Sequence, residues 1–131
     1  MRISTRGRYA LSVMFFLANN YESKRYISLK EISDNEGLSF KYLEKIMIDL
    51  NKNNYLDVLR GNNGGYRLKK HPKEYSIGEI LRRVEGDLSP VSCLNTGTCN
   101  REKKCKSYPF FEGLNKEINK FVDSKTLNDY L

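Results

Sequence analysis

Apolar positions along the chain come in short periodic runs separated by polar breaks, and the spacing within each run predicts an element. From Thr5, read as an N-cap, to about Asn20, the residues Tyr9, Val13, Met14 and Leu17 recur at helical spacing, and Phe16 adds a second apolar edge. After the polar stretch Tyr21 to Tyr26, Ser28-Leu-Lys-Glu31 has the form of a capping box and predicts a short helix from Leu29 to Asn35. Gly37 then supplies a turn, and Ser39 caps a third helix to about Asn53 with Leu43, Ile46, Met47 and Leu50 facing inward. Lys41, Tyr42, Glu44 and Lys45 are left on its outer side. Two short helices joined by a tight glycine turn are a helix-turn-helix, whose second helix fits a major groove about 12 Å wide.

The period then changes. Tyr55 to Arg60, the glycine-rich Gly61-Asn-Asn-Gly-Gly65 and Tyr66-Arg-Leu68 read as strand, turn and strand, a hairpin wing beside the helix-turn-helix. The glycines are not a nucleotide loop, because neither Lys-Ser/Thr nor a helix start follows them. Ser76-Ile-Gly-Glu79 is a second capping box opening a helix to about Val84, and Gly86 to Ser107 reads as a loop. From Pro109, the residues Phe110, Phe111, Leu114, Ile118, Phe121 and Val122 mark a long amphipathic helix, and Thr126 to Asp129 caps a final turn. The apolar stripe of that helix is expected to pair with its twin in a homodimer. The fold class expected is therefore mainly α with a small β-hairpin wing. Residues 1–73 would form a winged helix-turn-helix domain, and 74–131 a helix, a cysteine loop at about 86–108 and a long dimerisation helix.

Composition narrows the function. The chain has 131 residues, 30% charged and 39% hydrophobic, with a mean hydropathy of -0.64, which describes a globular protein. Its longest apolar run, Tyr9 to Ala18, is interrupted by Ser12 and falls short of the roughly 20 residues of a membrane span. Arg2, Arg6 and Arg8 before it imitate a secretion signal, but Asn19, Asn20 and Tyr21 stand where a small-residue cleavage site should be. A cytoplasmic protein without membrane partners is expected. The formal charge is +7, and all of that excess lies in residues 1–73. Such a one-sided field attracts a polyanion, and double-stranded DNA is the expected partner. No nucleophile–base pair supports an enzyme.

The three cysteines, Cys93, Cys99 and Cys105, are packed together instead of being spread in even number as in a disulfide framework. A thiolate site follows. Zinc would favour C-x2-4-C hooks and a fourth Cys or His, which are not visible. With Arg101, Lys103, Lys104 and Lys106 nearby, a cluster-free thiol switch is the rival reading. His71, in Lys69-Lys-His-Pro72, reads as a solvated turn histidine.

The chain resembles the winged-helix regulators typified by IscR, NsrR and CymR. The likeness lies in the opening Met1-Arg-Ile-Ser-Thr-Arg-Gly-Arg-Tyr9-Ala, in Gly37-Leu-Ser-Phe-Lys-Tyr-Leu-Glu44, and in Val58-Leu-Arg60-Gly-Asn-Asn-Gly-Gly65-Tyr66. The C-x5-C-x5-C spacing is similar to the cluster loop of the IscR and NsrR branches, and the CymR-like branch generally lacks it. The resemblance implies a homodimeric transcription factor, expected to be a repressor, that binds a palindromic operator. It also implies an iron–sulfur cluster, 2Fe-2S in preference to 4Fe-4S and absent from the apo form, on Cys93, Cys99 and Cys105. The alternative is a same-fold regulator of cysteine or sulfur metabolism controlled by a metabolite, a partner protein or cysteine oxidation. Two positions depart from the pattern: Tyr108 stands where the IscR-like branch has histidine, and Arg8 where NsrR-like members have an acidic ligand. The fourth ligand is thus unassigned. For DNA, the resemblance and the charge point to Arg2, Arg6, Arg8, Ser39, Lys41, Tyr42, Glu44, Lys45, Arg60, Gly64, Gly65 and Tyr66.

Overall fold

In the computed structural model, which describes residues 2–95 and 104–131, five helices and one hairpin follow the predicted order, and a short sixth helix joins them. They are α1 (Thr5–Asn19), α2 (Leu29–Glu36), α3 (Phe40–Lys52), β1 (Leu56–Leu59), β2 (Gly65–Leu68), α4 (Ile77–Glu85), α5 (Ser92–Asn95) and α6 (Tyr108–Ser124). Short 3-10 turns lie at Tyr21–Ser23, Pro72–Glu74 and Leu127–Tyr130. The architecture is mainly helical with a winged helix-turn-helix, as the periodicity predicts.

Local chemistry accounts for most boundaries. Ser39 Oγ accepts from the Tyr42 N–H at 3.2 Å and starts α3, while Gly37, at φ +67°, closes α2 in the left-handed conformation that a side chain disfavours. Four expectations need correction. The N-cap of α1 is Ser4, not Thr5: Ser4 Oγ accepts from Gly7 N–H at 3.0 Å, and the Ser4 N–H and hydroxyl both donate to Glu85. The two serine boxes are half boxes. Ser28 and Ser76 accept from Glu31 and Glu79 N–H at 3.1 and 3.0 Å, but the Glu31 carboxylate turns outward to Arg25 at 2.7 Å. The stretch from Gly86 to Ser107 is not all loop, since it contains α5 and with it Cys93. His71 is half-buried and not merely solvated: its Nδ1 accepts from Lys73 N–H at 3.1 Å and its ring meets Tyr21 edge-on at 5.4 Å.

One core joins the two halves of the chain. Ala10, Val13, Met14 and Leu17 of α1 pack with Ile32, with Leu43, Ile46, Met47 and Leu50 of α3, and with Leu56 and Leu68 of the hairpin. Tyr75, Ile80 and Leu127 complete it. Each such apolar side chain contributes about 1.5–3 kcal/mol by leaving water. The hairpin is antiparallel, with Leu56 opposite Leu68 and Leu59 opposite Gly65. Ile27 adds a further edge through two 2.8 Å backbone hydrogen bonds with Tyr66.

Helix α6 lies against α4, where Arg82 donates to Asp123 at 2.6 Å and to Asn119 at 2.6 Å. None of its residues is buried, and Phe110 and Phe121 are 66% and 59% exposed. Ile118, Phe121 and Val122 instead border an open apolar groove of about 390 Å³ with Ile3, Leu81 and Leu88. Among the described residues, no helix is long and apolar enough to cross a membrane.

Candidate nucleic-acid interface

The inward stripe of α3 dictates its outward face. With Leu43, Ile46, Met47 and Leu50 committed to the core, Lys41, Glu44 and Lys45 project into solvent. Tyr42 does not stand fully outside as expected: it is half-buried, and its ring meets that of Tyr9 edge-on at 6.2 Å, tying α3 to α1. Ser39 is exposed, with its oxygen engaged in the cap. The sequence reading passed over two exposed apolar residues of α3, Phe40 and Ile48, at 50% and 56% exposure. Their signal was present as apolar residues off the core stripe.

Beside α3, the hairpin closes one wall of a cleft of about 650 Å³ bordered by Ile48, Asn51, Val58, Arg60, Gly64 and Tyr66. Arg60 sits exposed at the end of β1, with no ion pair among the described residues. Asp57, the nearest acidic residue along β1, is held elsewhere. It accepts from Tyr26 Oη at 2.9 Å and Arg67 Nε at 2.9 Å, and the Arg67 guanidinium lies 4.2 Å over the Tyr26 ring. These hydrogen bonds hold the Asp57 carboxyl below its ordinary pKa. Arg60 is therefore left to face outward.

The wing glycines have a packing reason. A Cβ at Gly64 would lie 2.1 Å from the Leu59 carbonyl oxygen, and one at Gly65 would lie 2.3 Å from that of Ile27. Gly65 is buried, so its place in the fold is a close backbone approach. Tyr66, half-buried, carries the bridge to Ile27.

Of the amino-terminal arginines, Arg2 and Arg8 are exposed and border one concavity of about 440 Å³ with Ile3, Ser4 and Thr5. Arg6 is ion-paired with Asp49 of α3. That pair spans two elements, which sequence periodicity does not reveal. Of the cations predicted to meet DNA, Arg2, Arg8, Lys41, Lys45 and Arg60 are thus in no ion pair among the described residues, whereas Arg6 is.

Of the cysteines, Cys93 lies half-buried in α5 and Cys105 lies half-buried ahead of α6, its Sγ 3.1 Å from Ser107 Oγ. Cys99 lies outside the described residues. Thiolates are the donors iron–sulfur clusters take, so the residue types fit that group. Among the described residues, no set of three or more Cys, His, Asp or Glu side chains converges to hold a metal. Tyr108 is half-buried as the first residue of α6.

Comparison with known proteins gives this geometry a family. The profile described as Rrf2, iron-dependent transcriptional regulator, matches residues 3–131. The transcriptional regulator IscR of Klebsiella pneumoniae is 31% identical over 129 residues, spanning 98% of this chain and 78% of its own length. Among solved structures, CymR, the global cysteine regulator of B. subtilis, superposes with a TM-score of 0.83 at 32% identity, covering 98% of this chain and 95% of that one. IscR of T. potens superposes with a TM-score of 0.74 at 32% identity, covering 98% and 85%. With a winged helix-turn-helix and a match over nearly its whole length, the chain belongs to the Rrf2 family of transcriptional regulators.

Proposed function

We propose that the protein is a homodimeric repressor that binds a palindromic operator and responds to iron–sulfur or redox state through Cys93, Cys99 and Cys105. The observation that carries the DNA-binding part is α3 set beside the wing across one cleft, with Lys41, Lys45 and Arg60 exposed and in no ion pair among the described residues. Residues 1–73 read DNA in this scheme, and 74–131 sense and assemble. The α3 helix enters the major groove, with Ser39 and the helix N-terminus meeting a phosphate and Glu44 accepting from a cytosine amino group. Arg60 enters the minor groove, whose narrow A·T-rich stretches concentrate negative potential. The exposed apolar residues of α6 and the groove against α4 support pairing with a second copy.

Arg60→Ala is expected to weaken operator binding by about 1–3 kcal/mol without changing the oligomeric state. Titration of a labelled duplex at several salt concentrations checks this, and unchanged affinity throughout removes Arg60 from the interface.

The cysteine spacing and the IscR likeness support cluster sensing. When bound, a cluster supplies a thiolate-held, redox-responsive iron centre. Cys93 and Cys105 both lie between α4 and α6, so their ligation would tie together the chain that connects those helices. The second reading, control by a metabolite, a partner protein or cysteine oxidation, is favoured by the CymR likeness. Anaerobic purification with iron and acid-labile sulfide analysis separates the two. Stoichiometric iron and sulfide, lost on changing Cys93, Cys99 or Cys105 to Ala, is the result expected. Iron-free protein that still binds a duplex sinks cluster sensing and leaves the CymR-like reading.

A further inference from the structure

We propose that Phe40 is a specificity-determining residue that reads a thymine methyl group in the operator, an inference that rests on the assignment of α3 to the major groove. Phe40 is the first residue of α3, is 50% exposed, and makes no ring contact among the described residues. The caps on either side fix its position. Gly37 ends α2, Ser39 starts α3, and Phe40 follows directly at the tip of the turn.

Its neighbours on the outer side of the helix are Lys41, Glu44 and Lys45, all charged and exposed. A phenyl ring there gains nothing from the protein's own core. Its exposed half is open to an apolar group on whatever this face binds. The edges of bases in the major groove present hydrogen-bond donors and acceptors and a single apolar group, the thymine C5-methyl. Side chains in the first turn of a recognition helix are the ones that meet base edges. Ile48, the other exposed apolar residue of α3, lies two turns further on. It borders the cleft beside the wing together with Leu29 and Val58, so this chain already supplies it with apolar neighbours.

The test begins by selecting duplexes from a random library with the full-length protein. Each thymine of the selected operator is then replaced by uracil, which removes the methyl group and nothing else. At least one thymine per half-site should respond with about a fourfold loss of affinity, the worth of one buried methyl. Phe40→Ala should bind the thymine and uracil duplexes equally, while Phe40→Leu and Ile48→Ala keep the preference. A Phe40→Ala protein that retains the full thymine preference overturns the proposal, as does a selected operator in which no uracil replacement matters. Transfer of the loss to Ile48→Ala overturns it too, in favour of Ile48. Failure to select any duplex shows at the first step and overturns the DNA-reading assignment along with the inference.

Discussion

Gly65→Ala will destabilise the protein by about 2–4 kcal/mol, because the added methyl has nowhere to go. Its Cβ would fall 2.3 Å from the carbonyl oxygen and 2.5 Å from the carbonyl carbon of Ile27, and both are backbone atoms that cannot swing aside as a side chain can. Relief requires the wing to part from Ile27, breaking the two 2.8 Å hydrogen bonds between Ile27 and Tyr66. Urea unfolding of the variant measures the loss, and a change under about 0.5 kcal/mol would show that the backbone around Ile27 yields to the added methyl. Operator affinity should fall with it, through displacement of Arg60. Gly65 is buried and needs no contact with DNA to matter for DNA binding.

Tyr75→Phe removes one oxygen and should cost about 2–3 kcal/mol, because that oxygen serves three backbone groups. The Tyr75 hydroxyl donates to the Tyr55 carbonyl at 2.7 Å and accepts from the N–H groups of Lys69 and Lys70, each at 3.1 Å. It thereby holds the exit of β2 to the start of β1, while the ring is 2% exposed in the core. Burial raises its phenol pKa, so it remains a donor through the neutral range. Thermal and urea unfolding check the loss. Wild-type stability would mean that water replaces the hydroxyl at all three partners.

These residues show where sequence reasoning succeeds. The helix-turn-helix was legible because its determinants are near neighbours in the chain: Ser39 caps an amide three residues on, Gly37 needs only its own φ, and Leu43 to Leu50 repeat within one helix. The α1 cap was misplaced because Ser4 and Thr5 are both competent caps, and the choice is made by Glu85, 81 residues away. Arg6 with Asp49 and Asp57 with Arg67 are likewise settled by packing, not by spacing. The exposure of Lys41 and Lys45 on α3 was legible as charges left off an apolar stripe. Phe40 was not, since an apolar residue beside such a stripe is easily read as part of it. Of the cysteine site, the residue types are plain in the sequence, and Cys99 lies outside the described residues.

The placement of Leu127 in the core has a consequence for synthesis. Its side chain is fully buried, its N–H donates to Tyr75 at 3.1 Å, and the preceding Thr126 bridges Ser76. A nascent chain emerging from the ribosome can form α1, α2, α3 and the hairpin early, yet the pocket that awaits Leu127 stays open until α6 has also been made. Contacts of such long sequence separation close late and slowly. The helices and hairpin up to Leu68 therefore have to wait, partly wet, for a residue translated more than fifty positions later, and chaperone dependence should fall sharply once Leu127 is free to dock.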